Sequence, residues 1–253
     1  MEPGALNLVE DAALAVRLAA AAGRIAQEVR AAGLLHGKAL GGGGDCTANA
    51  FLVEAIRALR PDDGLLSEER KDTPERLGKS RVWIVDPIDG TREYGEARPD
   101  WAVHVGLAED GVAVVGAVAL PDCKGGLVLS SHETHPVPTH TGAPRMVVSR
   151  TRPAAEALAV AQRVGADLVP MGSAGAKAMA VVRGQAEIYL HAGGQYEWDN
   201  CAPVAVAQAH GLHCSRVDGS ALTYNQRDTY LPDLLICRPE WAGPVLKAVT
   251  LPA

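Results

Sequence analysis

The stretch Arg81–Tyr94, RVWIVDPIDGTREY, decides how the chain is read. Its apolar, β-branched run Val82-Trp83-Ile84-Val85 predicts a buried strand that delivers Asp86 at its carboxyl end. Pro87 has no amide hydrogen and a fixed φ, so the strand is expected to stop there. Asp89-Gly90-Thr91 follows, and Gly90 permits a tight turn and a close approach of backbone to a ligand. Two carboxylates, the carbonyl of Ile88 and the Thr91 hydroxyl thus share one strand end. Hard oxygen donors of this kind suit Mg²⁺, and the N–H groups of such a turn suit an anion. A loop made only to turn the chain would use the same residue types.

A strand followed by Asp-x-Asp-Gly-Thr, with the first Asp a covalent nucleophile, marks haloacid-dehalogenase-type phosphatases. Here Pro87 and Ile88 both separate the aspartates, and that spacing argues against the covalent route.

Working outward, Gly64–Glu69 reads as a short strand running into the carboxylate pair Glu68-Glu69, which by itself is an exposed acidic turn. Upstream, residues 5–33 carry a helical stripe of Leu8, Ala12, Ala15, Ala19, Ala22, Ala26 and Val29, with Gly33 as its stop. Gly41–Gly44 is expected to be a mobile run; no Gly-Lys-Ser/Thr follows it, so it is not a Walker loop. Thr47 is the expected N-cap of a second helix through Arg60, ended by Pro61. Downstream, Val103, Val105, Leu107, Val112, Val114 and Val118 alternate around Asp110-Gly111 as a β-hairpin, and 127–131 adds a strand. His132 and His135 fall in a Pro-rich surface loop. From Arg145 strands and helices alternate. Ser173 is the predicted N-cap of a helix to about Arg183, 187–191 a strand, 192–197 a loop, and Trp198-Asp199 the start of a helix to His210. Short strands near 212–217 and 234–237 are expected to close the chain.

The 253 residues are 47% apolar and 21% charged, which fits a soluble globular protein of one domain or two packed halves, divided here at 1–140 and 141–253. A net charge of −6 without a basic run excludes binding of nucleic-acid polymers or anionic membranes through bulk charge. The start MEPGALNLVED lacks the pattern of a signal peptide, and five cysteines without C-x-x-C spacing fit a reduced cytoplasm.

Three element ends therefore carry oxygen ligands: Ser67-Glu68-Glu69, Asp86–Thr91 and Trp198-Asp199. Together with Gly172-Ser173-Ala174-Gly175, in this order and spacing, they resemble the inositol monophosphatase superfamily of Mg²⁺-dependent, lithium-sensitive phosphatases. The flanks Arg92-Glu93-Tyr94, Gly175-Ala176-Lys177 and Asn200-Cys201-Ala202-Pro203 are similar to its bisphosphate-nucleotidase branch, the CysQ-type 3′-phosphoadenosine-5′-phosphate (PAP) phosphatases of sulfate assimilation.

The resemblance implies a five-layer α/β/α/β/α fold, a homodimer and a small phosphorylated substrate. It implies that Glu68, Asp86 and the Ile88 carbonyl hold one Mg²⁺, and that Asp86, Asp89 and Asp199 hold a second. Thr91 with Glu68 would then activate a water, and the Gly90 and Thr91 amides would take the phosphate. The family's Asp-x-x-Val-Thr pattern is altered here to Asp45-Cys46-Thr47, which leaves Asp45 as the partner for Thr91 or the ligand of a third metal. Arg92 and Lys177 are the cations available for a second phosphate, with Ser173 facing the ligand. Inositol phosphate or fructose bisphosphate hydrolysis, and a non-catalytic metal or nucleotide sensor, are the competing readings.

Overall fold

The computed structural model describes residues 3–123 and 125–250. In chain order the elements are α1 (Pro3–Ala31), α2 (Gly37–Leu59), β1 (Gly64–Ser67), β2 (Arg81–Asp89), α3 (Thr91–Gly95), β3 (Ala102–Glu109), β4 (Val112–Leu120) and β5 (Leu127–Ser130). Then come β6 (Arg145–Ser149), α4 (Ala155–Val164), β7 (Asp167–Met171), α5 (Ala174–Val182), β8 (Ile188–Tyr196), α6 (Glu197–Ala209), β9 (His213–Ser215), β10 (Tyr230–Cys237) and α7 (Pro239–Thr250). One sheet has the order β1-β2-β3-β4-β5, the other β7-β6-β8-β10-β9.

The layers follow from where the apolar faces go. Ala12, Ala15, Ala19, Ala22 and Ala26 of α1 are buried with Leu52 and Ile56 of α2 against Trp83, Val85, Val103 and Val105 of the first sheet. The opposite face of that sheet, Val82, Ile84 and Val118, packs on α5 and α6, which lie between the two sheets. Covered on both sides, α5 is buried throughout and carries no polar stripe. Beyond the second sheet, α4 and α7 bury Ala157, Val160, Val245 and Ala248. The result is the expected α/β/α/β/α sandwich. Among the described residues, no helix is long and apolar enough to cross a membrane.

Pro87 does not end its strand. β2 runs on to Asp89, but its pairing with β3 slips: Asp86 faces His104, and Asp89 faces Ala102. Three steps on β2 match two on β3, so one extra residue bulges, where the amide hydrogen that Pro87 lacks is not needed by the ladder. In a regular strand, residues three apart point to opposite faces. The bulge puts Asp86 and Asp89 on the same face, towards α6.

Gly41–Gly44 is not a mobile run, and Thr47 is not an N-cap. Both lie inside α2, which starts at Gly37 after His36, and Thr47 Oγ1 donates back to the Gly43 carbonyl at 2.7 Å. The glycines let α2 lie against the turn after β2. A Cβ on Gly41 would stand 2.8 Å from Thr91 Cγ2, and one on Gly44 2.6 Å from the Tyr94 ring. Two further expectations change. Residues 192–196 extend β8 instead of forming a loop, because β10 continues alongside them to Tyr230. α6 starts at Glu197, one residue before the expected Trp198, and accommodates Pro203 in its interior. The closing helix α7 was not anticipated, because Gly243 and Pro244 read as breakers.

Candidate active site

The bulged end of β2 and the amino end of α6 meet, and one carboxylate oxygen each from Asp86, Asp89 and Asp199 lies within 4.8 Å of the others. Asp199 is placed by its helix: its Oδ2 accepts the Tyr196 amide hydrogen at 2.6 Å, in the first turn, where a carboxylate is favoured. Glu68, one residue past β1, stands at the rim, close enough for its charge to raise the Asp86 carboxyl. Ile88 is buried, and its carbonyl lies 3.1 Å from Thr91 Oγ1.

Asp89 is the best-held member. Its Oδ2 accepts hydrogen bonds from Ser173 Oγ at 2.5 Å and the Gly175 amide at 2.6 Å, and His104 Nε2 lies 3.3 Å away. Burial alone would raise its pKa. His104, Ser173 and Lys177 reverse that and hold it well below the usual carboxylate range. Ser173 also caps α5 through the Ala176 amide, as its sequence position predicts.

The other carboxylates go the opposite way. Burial, then the charges of Glu68, Asp89, Asp199 and Asp45, push Asp86 well above its ordinary value. Burial and neighbouring carboxylates push Glu68 to about 7 and Asp199 to about 6. Asp86 Oδ1 is buried and has no hydrogen-bond partner. A buried, partnerless acceptor among like charges calls for a cation, and an all-oxygen set suits a hard divalent ion such as Mg²⁺. The residues fit the metal.

Beside this cluster Thr91 Oγ1 and Asp45 Oδ2 lie 2.9 Å apart. Burial, with the Glu68, Glu69 and Asp89 charges outweighing the Thr91 hydrogen bond, pushes Asp45 up to about 8. The structure thus brings Asp45 to Thr91 from the middle of α2. Gly90 opens α3 at φ +89, in the left-handed region.

Two assigned cations behave differently. Arg92 is exposed and lines a cavity of about 520 Å³ with Lys38, Gly41, Asp45, Glu69, Thr91 and Glu96. Lys177 is enclosed. It is buried, its Nζ donates to the Ser173 carbonyl at 2.5 Å and the Gly172 carbonyl at 3.3 Å, and it lies 5.4 Å from the Tyr189 ring centre. At helix position 177 the side chain points back to the turn before α5, which its ammonium ties down.

Sequence reading missed His104. Its Nδ1 lies 2.9 Å from the Trp198 carbonyl and its Nε2 faces Asp89, so it bridges β3, α6 and the cluster. The only signal was a polar residue at the alternate positions of an otherwise apolar strand. Glu93 and Tyr94 also find their reasons: Glu93 is buried and accepts from Arg150 at 2.9 Å, and Tyr94 donates its hydroxyl to the Ala26 carbonyl at 2.6 Å. Both fasten α3 to its surroundings.

The sequence matches the model of the inositol monophosphatase family over residues 7–249. It is 47% identical to a 3′-phosphoadenosine 5′-phosphate phosphatase of Mycobacterium leprae, covering 94% of this chain and 93% of that protein. It is 30% identical to the 3′(2′),5′-bisphosphate nucleotidase CysQ of Salmonella typhimurium, covering 74% of this chain and 80% of that one. In structure it is similar to CysQ from Bacteroides thetaiotaomicron, with a TM-score of 0.79 at 23% identity, covering 90% and 97% of the two chains.

Proposed function

The chain belongs to the inositol monophosphatase family, and from that premise we propose that it is a Mg²⁺-dependent phosphatase that removes the 3′-phosphate of PAP, and of its 5′-phosphosulfate analogue. It is a phosphoric monoester hydrolase. The observation that carries the chemistry is the partnerless Asp86 oxygen beside the carboxylates of Asp89 and Asp199, next to the Thr91–Asp45 pair. The substrate follows from the relatives' names, to which the nucleotidase-like flanks of the sequence add support. Sulfate assimilation, lithium sensitivity, a homodimer and a cytoplasmic place belong to the same proposal through family likeness.

Glu68, Asp86, Asp89, Asp199 and the Ile88 carbonyl would hold two Mg²⁺. When bound, the metal supplies Lewis-acid polarisation and neutralises developing charge on the phosphoryl oxygens. The chain's own residues do the rest. Thr91 Oγ1 can pass its proton to Asp45 Oδ2 while accepting one from the attacking water. Ser173 and the Gly175 amide hold Asp89 in one orientation, and His104 fixes the approach of α6.

The second phosphate of PAP needs its own cations. Arg92 and Lys38 line the cavity beside Thr91, and neither forms an ion pair among the described residues. Binding energy from such a remote group raises kcat/KM at the reacting phosphate. The test compares PAP with inositol 1-phosphate. PAP should lead in kcat/KM by at least ~10-fold, equivalent to about 1.4 kcal/mol of transition-state binding. Equal values would leave a broad sugar phosphatase in place of a nucleotidase.

A further inference from the structure

We propose that Tyr196, flanked by Tyr230 and backed by Trp198, is the platform on which the base of a nucleotide substrate stacks. This rests on the nucleotidase reading and goes beyond it by naming the residues that tell a nucleotide from a bare sugar phosphate.

Both tyrosines expose large aromatic surface: Tyr196 is 46% and Tyr230 47% accessible. The Tyr196 ring stacks on Trp198 with centroids 4.8 Å apart and planes 10° from parallel, and Tyr230 meets Tyr196 edge-on at 5.9 Å. They are cross-strand partners, Tyr196 on β8 and Tyr230 on β10. The group is rigid from behind. Trp198 is half-buried against the central core, and its carbonyl is held by His104. On β8 the neighbour under Tyr230 is Gly194, at φ +92, and a Cβ there would stand 2.6 Å from the Tyr230 ring. Only glycine leaves that ring where it lies.

Position picks the occupant. Only a sugar separates the base of a nucleotide from its 3′-phosphate, so a base platform has to begin beside the carboxylates. Tyr196 does: its own amide hydrogen is held by Asp199 Oδ2 at 2.6 Å. An exposed, pre-ordered π face suits any planar base, because stacking is tolerant of base identity and uses no hydrogen-bond code.

The experiment measures kcat/KM for PAP and for the same ribose bisphosphate without its base, in the wild type and in Tyr196→Ala, Tyr196→Phe and Tyr230→Ala. Tyr196→Ala should lower the preference for the base-bearing substrate about 10-fold, mainly through KM, and Tyr230→Ala should lower it by less. Tyr196→Phe keeps the ring and should keep the preference. Activity on the base-free substrate reports that the alanine variants still fold. A preference that survives both alanine variants overturns the platform and leaves the nucleotidase reading standing. A parallel loss on both substrates, or one accompanied by a change of oligomeric state, also overturns it and makes this face a contact between copies. A wild type with no preference defeats the nucleotidase reading itself.

Discussion

Substitution of single glycines in Gly41–Gly44 by alanine should shift stability in opposite directions within one short run. In a helix, glycine costs about 1 kcal/mol relative to alanine, so an unobstructed replacement stabilises by up to that amount. Gly42 is exposed, and a Cβ there meets nothing within 4 Å. Gly42→Ala should therefore stabilise by ~0.5–1 kcal/mol.

At Gly44 the added Cβ would lie 2.6 Å from Tyr94 Cε1 and 2.8 Å from its hydroxyl oxygen. Tyr94 has little room to retreat: it is fully buried, packs edge-on to Trp101 at 4.9 Å, and donates to the Ala26 carbonyl at 2.6 Å. Overpacking of this kind costs ~1–3 kcal/mol, which offsets the helix gain and exceeds it over most of that range. The two variants should differ by about 2 kcal/mol, or ~4–8 °C in Tm for a domain of this size. Thermal unfolding of both variants under identical Mg²⁺ is the assay. A Gly44→Ala protein as stable as Gly42→Ala would refute the packing of α2 against α3, and with it the route by which Asp45 reaches Thr91.

Asp89→Asn should lower kcat by ~100-fold or more with the circular dichroism unchanged, since it removes a charged ligand at nearly constant volume; near wild-type kcat at saturating Mg²⁺ would take Asp89 out of the site. Lys177→Ala should depress turnover of PAP and inositol 1-phosphate alike and lower Tm, because Lys177 ties down the turn carrying Ser173; a loss confined to PAP would restore it as a phosphate contact. In EDTA the folded protein binds more protons than the unfolded chain wherever a carboxyl's folded pKa is raised, as for Asp45 to about 8, Glu68 to about 7 and Asp199 to about 6. Their contribution to stability is therefore lost as pH rises from the unfolded values near 4 through this range, so Tm in EDTA should fall between pH 5 and 8, and the Tm gained on adding Mg²⁺ should grow. A Tm in EDTA that rises across that interval would contradict the packing of these carboxylates.

Features whose cause is local were legible in the residues alone. An apolar run ending in Asp86, a Gly-containing turn before Thr91, a Ser173 cap and alternation around Asp110-Gly111 each impose their geometry on their immediate neighbours, and the structure has them all. The order of the oxygen-bearing ends along the chain was legible for the same reason.

Features that depend on residues far apart in sequence emerge only from packing. Glycines 41–44 read as flexible because each weakens an isolated helix. They are helical because the missing Cβ atoms admit Thr91 and Tyr94, whose packing more than replaces the lost propensity. Lys177 reads as a cation for a second phosphate, and it is the two sheets enclosing α5 that turn its ammonium to the carbonyls of its own turn. His104 looks like a blemish in an apolar strand until α6 brings the Trp198 carbonyl to one nitrogen and β2 brings Asp89 to the other. Asp86 and Asp89 are three apart, which in a plain strand means opposite faces. They share one face because β3 pairs past Pro87 and forces the extra residue into a bulge, and pairing between strands is a property of two segments that neither carries alone.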